Sequence, residues 1–244
     1  MKLRTLGLAS VAAVALMAGT QAMAQDAPAV SFNASVTNDY VFRGLSQTSG
    51  DAAAQGGVDV AVGMFYAGTW VSNVDFGPTA GDPANKTSIE YDLYAGVKPV
   101  LGAVNLDLGV VRYGYTDSPK AAHYDYWEGK ILASTALGPA TVGAAFYYSP
   151  EFFGKTGDAT YYEVNAAYTL ENKASISGAF GYQDLQKSKA GISSYTTWNV
   201  GIGYPITDHF AVDLRYVDTS HKALSFYTKT FAGDRIVGTL KATF

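Results

Sequence analysis

The stretch "VSFNASVTNDYVFRGLSQTSG" (Val30–Gly50) decides how the rest of the chain is read. As far as Arg43 it alternates. One parity carries Val30, Phe32, Ala34, Val36, Tyr40 and Phe42, and the other carries Ser31, Asn33, Ser35, Thr37, Asp39 and Arg43. A period of two is the mark of a β-strand with one apolar and one polar face. Asp39 and Arg43 share the polar face, yet four residues of strand separate them by about 13 Å. By themselves they cannot form a catalytic dyad. Asn38 falls on the apolar parity, which predicts a bulge or an interfacial position there.

The same period recurs to the end of the chain. "SIEYDLYAGVK" sets Ile89, Tyr91, Leu93, Ala95 and Val97 against Ser88, Glu90, Asp92 and Lys98. "TYYEVNAAYTL" sets Tyr162, Val164, Ala166, Tyr168 and Leu170 against Glu163, Asn165 and Thr169. "HFAVDLRYV" separates Phe210, Val212, Leu214 and Tyr216 from Asp213 and Arg215. Twelve such segments are predicted, at about 30–43, 53–63, 65–76, 88–98, 103–115, 125–137, 141–149, 159–170, 174–183, 194–205, 209–219 and 234–244. In "FYAGTWVSNVDF" neither parity is cleanly apolar, so the directions of Asn73 and Asp75 stay open. "SFYTKTF" (Ser225–Phe231) is read as loop or strand extension, and it is where the strand count could change.

The connectors alternate between short turns, such as "LGPA", "ENK" and "PITD", and longer polar loops at 44–52, 77–87, 116–124, 150–158, 184–193 and 220–233. Even strand number with short turns at one end and long loops at the other is the layout of an outer-membrane barrel. A soluble sandwich also alternates, but its apolar face should interdigitate as large aliphatics. Here the apolar parity is rich in Tyr and Phe near segment ends, as membrane-interface girdles are. The expected fold is an all-β, transmembrane, antiparallel up-and-down barrel of twelve strands.

The chain ends agree with export. Lys2 and Arg4, the apolar run "LGLASVAAVALMAG" and Ala22-Met23-Ala24 read as a cleaved signal peptide over 1–24, leaving one barrel domain over 25–244. That leader has two of the 17 basic residues and none of the 21 acidic ones, leaving 15 against 21 and a net charge of −6. Such a balance argues against a nucleic-acid partner. With no cysteine there is no acylated N-terminus, disulfide or thiolate metal site. In "RIVGTLKATF" the apolar face ends in Phe244, which resembles the signal read by the outer-membrane assembly machinery; that machinery and membrane lipid are the expected partners. No oligomerisation element is evident, so a monomer is expected.

"SVTNDYVFRGLSQTSGDAAAQGGVDVAVGMFYAGTWVSNVDF" (Ser35–Phe76), followed by "IEYDLYAGV" (Ile89–Val97), resembles the TorF family of proteobacterial porins. The N-terminal third carries the distinctive words, and the later strands match by layout. The resemblance implies an outer-membrane barrel with a pore, and it brings no substrate and no catalytic residues.

Catalytic, cofactor and metal sites are not expected. Of the three histidines, His123 and His221 fall in or beside long loops and His209 at a short turn, none mid-strand where an embedded Ser-His site would need it. A rim enzyme rests only on the neighbours His221/Asp218 and His123/Asp125. Asp75 and Asp82 in "DFGPTAGDPANKT" lack the ligand ladder of a calcium loop.

The informative set is the polar parity: Asp39, Arg43, Asp59, Glu90, Asp92, Asp107, Glu128, Lys130, Glu163, Asp213, Arg215, Arg235 and Lys241. Arg or Lys on a barrel's lipid face costs roughly 2–4 kcal/mol near the midplane, so these charges are expected inside. Acids outnumber bases, which predicts a porin-like channel for small hydrophilic solutes or ions with mild cation preference. The alternative is a non-conducting structural or binding barrel, because twelve strands lie between barrels that fill with side chains and barrels that leave an open channel. Along the first strand, Arg43 is expected near the outer mouth and Asp39 a step below, each with partners on strands two and twelve.

Overall fold

The computed structural model describes residues 27–77, 87–185, 193–224 and 227–244, so the leader expected over 1–24 lies outside the described residues. Twelve long strands form the wall: β1 (Ala29–Thr37), β2 (Ala53–Val62), β3 (Phe65–Asn73), β4 (Ile89–Val97), β5 (Val104–Thr116), β6 (Tyr126–Leu137), β7 (Ala140–Ser149), β8 (Ala159–Thr169), β9 (Ser175–Asp184), β10 (Tyr195–Pro205), β11 (Phe210–Thr219) and β12 (Arg235–Thr243). Each pairs antiparallel with its sequence neighbours, and β1 pairs with β12 from Asn33↔Thr243 to Thr37↔Thr239. The sheet is therefore closed. Phe244 extends the seam by exchanging both backbone bonds with Phe32, at 2.9 Å each.

Alternation sorts the wall as the period predicts. Val30, Phe32, Val36, Leu93, Ile131, Val164, Leu214 and Ile236 are exposed on the outside. Trp127, Tyr148, Tyr162 and Trp198 face outward towards the loop end, and Tyr168 and Tyr204 towards the short-turn end. An apolar band between two aromatic belts is the surface of a membrane-spanning barrel, and closure satisfies every ladder without an open edge.

In β3, Tyr66, Trp70 and Ser72 are buried on the inner face while Phe65 and Val71 are exposed on the outer one. Gly68 blurs the pattern for a steric reason. It is an inner-face position over which the Tyr94 ring lies, so a Cβ there would meet that ring at 2.5 Å.

Two boundaries depart from the sequence reading. β1 ends at Thr37, six residues before the expected Arg43, because the chain there leaves the wall and turns into the barrel. Asn38 marks the exit. Its amide donates to Ile236 O at 3.0 Å and accepts from Gly238 N at 2.6 Å, completing the β12 ladder with a side chain in place of a continuing strand. Asn73, on the outer parity of β3, does the same beside it, accepting from Ala54 N at 2.7 Å and donating to Ala52 O at 3.1 Å. Asp75 lies beyond β3, and its carboxylate caps Gly77 N at 2.7 Å. Within 225–231, Lys229–Ala232 form one helical turn, while Ser225 and Phe226 lie outside the described residues; the wall stays at twelve strands.

Candidate functional site

The segment that leaves β1 is a small hairpin inside the barrel. Val41–Phe42 pair with Leu45–Ser46, and the two residues between them, Arg43 (φ 48°) and Gly44 (φ 82°), both adopt left-handed backbone. Positive φ at both central positions is what a tight two-residue hairpin turn of the primed type requires. Gly44 is obligatory for a second reason: a Cβ on it would collide with the side chains of Thr197 and Thr219 on the wall.

The neck of the hairpin is closed by Asp39. Ser46 Oγ donates to its Oδ1 at 2.6 Å, Thr48 Oγ1 lies 3.1 Å from the same oxygen, and Arg235 Nη1 reaches Oδ2 at 2.6 Å. Tyr40 O accepts from Gln47 N at 2.6 Å, and the return strand is stitched to the next loop by Asp75 N donating to Gln47 O at 2.7 Å.

The tip reaches across the lumen. The Arg43 guanidinium binds both carboxylate oxygens of Glu128 on β6, at 2.8 and 2.6 Å, and Gln183 Oε1 on β9 at 3.1 Å. Its charge also lies 4.4 Å from the centre of the Tyr161 ring, 4.7 Å from Phe42 and 4.8 Å from Tyr147. Only 3% of the arginine is exposed. A bidentate carboxylate and aromatic faces are what a guanidinium needs when water is withdrawn.

The hairpin is also the hydrophobic core of the molecule. Tyr40 and Phe42 pack with Trp70, Tyr113, Tyr115 and Tyr126; Val41 packs with Val217 and Val237; Leu45 packs with Ala159, Leu185, Tyr195, Ala223 and Ala232. Above it, Phe76, Tyr115, Tyr124 and Phe153 form an aromatic cap, with Tyr124 and Phe153 stacked at 4.4 Å. The loop-end half of the lumen is filled. Towards the short turns the inner wall changes to smaller or half-buried residues such as Asn33, Asp59, Ser175, Ser177, Asn199 and Asp213.

The structure places the other residues of the charged set as follows. Asp59 accepts Tyr94 Oη at 2.8 Å, and Glu90 accepts Tyr40 Oη at 3.0 Å. Asp107 accepts Tyr66 Oη at 2.6 Å and pairs with Lys130 at 3.0 Å. Glu163 accepts Tyr161 Oη at 2.8 Å. Arg215 pairs with Asp213 at 3.0 Å and donates to Ser177 at 2.9 Å and Asn199 at 2.5 Å. Lys241 is buried on β12 opposite Ser35 and Ala211, and the Asp92 side chain is buried with Oδ1 unbonded.

Two expectations need correction. Arg43 is at the tip of an inward hairpin and pairs with β6 and β9, not with β2 and β12, because the segment that carries it has left the wall. Tyr40 and Phe42, expected on the lipid face, are inside for the same reason. Asp39 does find its base on β12, at Arg235.

Sequence reasoning missed the inner tyrosines: Tyr66, Tyr94, Tyr113, Tyr115, Tyr147 and Tyr161 all face the lumen. Parity points to three of them, since Tyr113 and Tyr115 share a face with Asp107, and Tyr161 with Glu163. Arg112, on the outer parity, is held at the rim by Asp125 at 2.7 Å and Tyr91 at 3.1 Å. Asp125 also accepts Tyr115 N, and Asp218 accepts Thr219 N; the structure shows no bond from either carboxylate to His123 or His221.

The barrel is similar to two solved porins. The KdgM porin aligns with TM-score 0.55 and 9% identity, covering 89% of this chain and 98% of that one. The NanC porin aligns with TM-score 0.55 and 8% identity, covering 88% and 99%. At that identity the likeness speaks for the fold, a porin-like barrel. No curated protein matches the sequence. The family described as "Bacterial protein of unknown function (Gcw_chp)" matches residues 21–244, and the chain belongs to that family.

Proposed function

We propose that the protein is a porin-like outer-membrane channel for small hydrophilic solutes and ions, mildly cation-preferring, in which the hairpin closes the loop-end half until it is displaced. The observation that carries this reading is a closed barrel with an apolar outside and charged and polar side chains on its inner wall. Asp39, Arg43, Asp59, Glu90, Asp92, Asp107, Glu128, Lys130, Glu163, Asp213, Arg215, Arg235 and Lys241 are its pore-lining charges, eight acids against five bases. Export through the cleaved leader and insertion through a C-terminal strand ending in Phe244 belong to the same reading.

The test is reconstitution in planar bilayers with a potassium chloride gradient. A reversal potential of cationic sign supports the channel; anionic sign refutes the preference, and absence of conductance refutes the channel. A second reading, a non-conducting barrel, is favoured by one observation, the burial of Arg43, Ser46, Thr48, Glu128 and Gln183 across the lumen.

A further inference from the structure

The charges inside the barrel are unevenly partnered. Arg43–Glu128, Arg235–Asp39, Lys130–Asp107 and Arg215–Asp213 are ion pairs. Among the described residues, Asp59, Glu90 and Asp92 form none, and all three lie on one wall, β2 and β4. Asp59 and Glu90 each accept a tyrosine hydroxyl. Asp92 does not, and its Oδ1 is buried without a hydrogen-bond partner.

Two buried donors share that condition on the same wall: Trp70 Nε1 and Gln55 Nε2. Trp70 is directly opposite Asp92 in the β3–β4 ladder. Gln55 is opposite Ser72, one diagonal step from Trp70. Such neighbours on one face lie about 5 Å apart when opposite and about 7–8 Å when diagonal. Tyr40, the first residue of the hairpin, packs edge-on against Trp70 with ring centres 5.4 Å apart, and so covers the patch from the loop side.

Buried polar atoms are almost always partnered, and a buried carboxylate facing no positive charge is strongly disfavoured. One carboxylate oxygen and two N–H donors in one patch fit a partly hydrated cation. The carboxylate takes the ion, and the indole and amide donate to waters beyond the ion's first shell. A single available carboxylate suits a monovalent ion, whereas calcium gathers six to eight oxygen ligands.

We propose that Asp92, Trp70 and Gln55 form a subsite for a monovalent cation on the β2–β4 wall. This rests on the channel reading and assigns its cation preference to one place. Arg215, Arg235 and Lys241 lie outside that wall, on β11 and β12.

Trp70 supplies its own probe, because the other two tryptophans, Trp127 and Trp198, are exposed on the lipid side. In folded full-length protein carrying Trp127→Phe and Trp198→Phe, thallium(I) acetate, a heavy-ion stand-in for potassium, should quench Trp70 fluorescence saturably. Potassium should compete and choline should not. Asp92→Asn should weaken thallium binding at least fivefold, and Gln55→Met by a smaller factor. If Asp92→Asn fails to fold, Gln55→Met alone decides. An unquenched Trp70, or binding indifferent to the substitutions, overturns the subsite. Binding is read without conduction, so saturable quenching in a protein that never conducts would sink the channel reading and leave the subsite standing. Cation-preferring conductance without quenching would do the reverse.

Discussion

Arg43 holds the least probable backbone in the hairpin and the best-partnered side chain. A non-glycine residue in left-handed conformation is disfavoured by roughly 1–2 kcal/mol, and Arg43 adopts it at φ 48°. What holds it there is the Glu128 fork, the Gln183 oxygen and three ring faces. Removing one member of such a buried pair leaves the other charge without compensation, at a cost of about 3–5 kcal/mol. Arg43→Ala should therefore lower the denaturant midpoint of the detergent-folded barrel strongly. Arg43→Ala with Glu128→Gln should recover part of that loss, since the buried carboxylate is gone too. Arg43→Lys should fall between wild type and Arg43→Ala, because an ammonium cannot make the two-pronged contact. Strictly additive single and double losses would show that the two residues are not coupled.

At the scale of the element, the wall strands were legible and the hairpin was not. Period two is a property of a two-faced strand, so β4, β8 and β11 could be read from residues such as Glu90, Glu163 and Asp213 against their apolar neighbours. Tyr40-Val41-Phe42 breaks the period, because a segment surrounded by wall on all sides buries both its faces. Alternation carries no information about an element inside a barrel. Three signals pointed there all the same: three consecutive apolar residues, a turn residue at Gly44 and a misplaced Asn38. The inner tyrosines were obscured by composition, since rings fit both a lipid girdle and a filled lumen. Gly44 tests the element alone. Its replacement by Ala adds a methyl group against Thr197 and Thr219 at positive φ, while touching no wall ladder. Gly44→Ala should leave heat-modifiable gel mobility of the barrel intact and raise single-channel conductance severalfold. Unchanged conductance with an intact barrel would mean that the tip does not control passage.

At the scale of the whole molecule, two kinds of stabilisation are separable. The wall satisfies its own backbone groups through a ring of ladders closed between β1 and β12, and its outer face needs only lipid. The interior is held by the hairpin, which contributes Tyr40, Val41 and Leu45 to three clusters and joins β1, β6, β9 and β12 through Asp39 and Arg43. An open channel at this strand number needs that interior removed from half the lumen, so wall and plug must be able to part without unfolding. Replacing Asp39–Thr48 by a short Gly-Ser linker measures whether they can. Asn38 stays, so the β12 ladder keeps its side-chain bonds at the exit. The excised barrel should still insert and migrate as a folded species. It should unfold at lower denaturant, having lost the pairs at Glu128 and Arg235, and conduct severalfold more than wild type with cation preference reduced but retained through Asp59, Glu90 and Asp92. Failure to assemble, with wild type assembling under the same conditions, would make the hairpin the nucleus on which the wall is built. A displaceable plug would then be the wrong description of it.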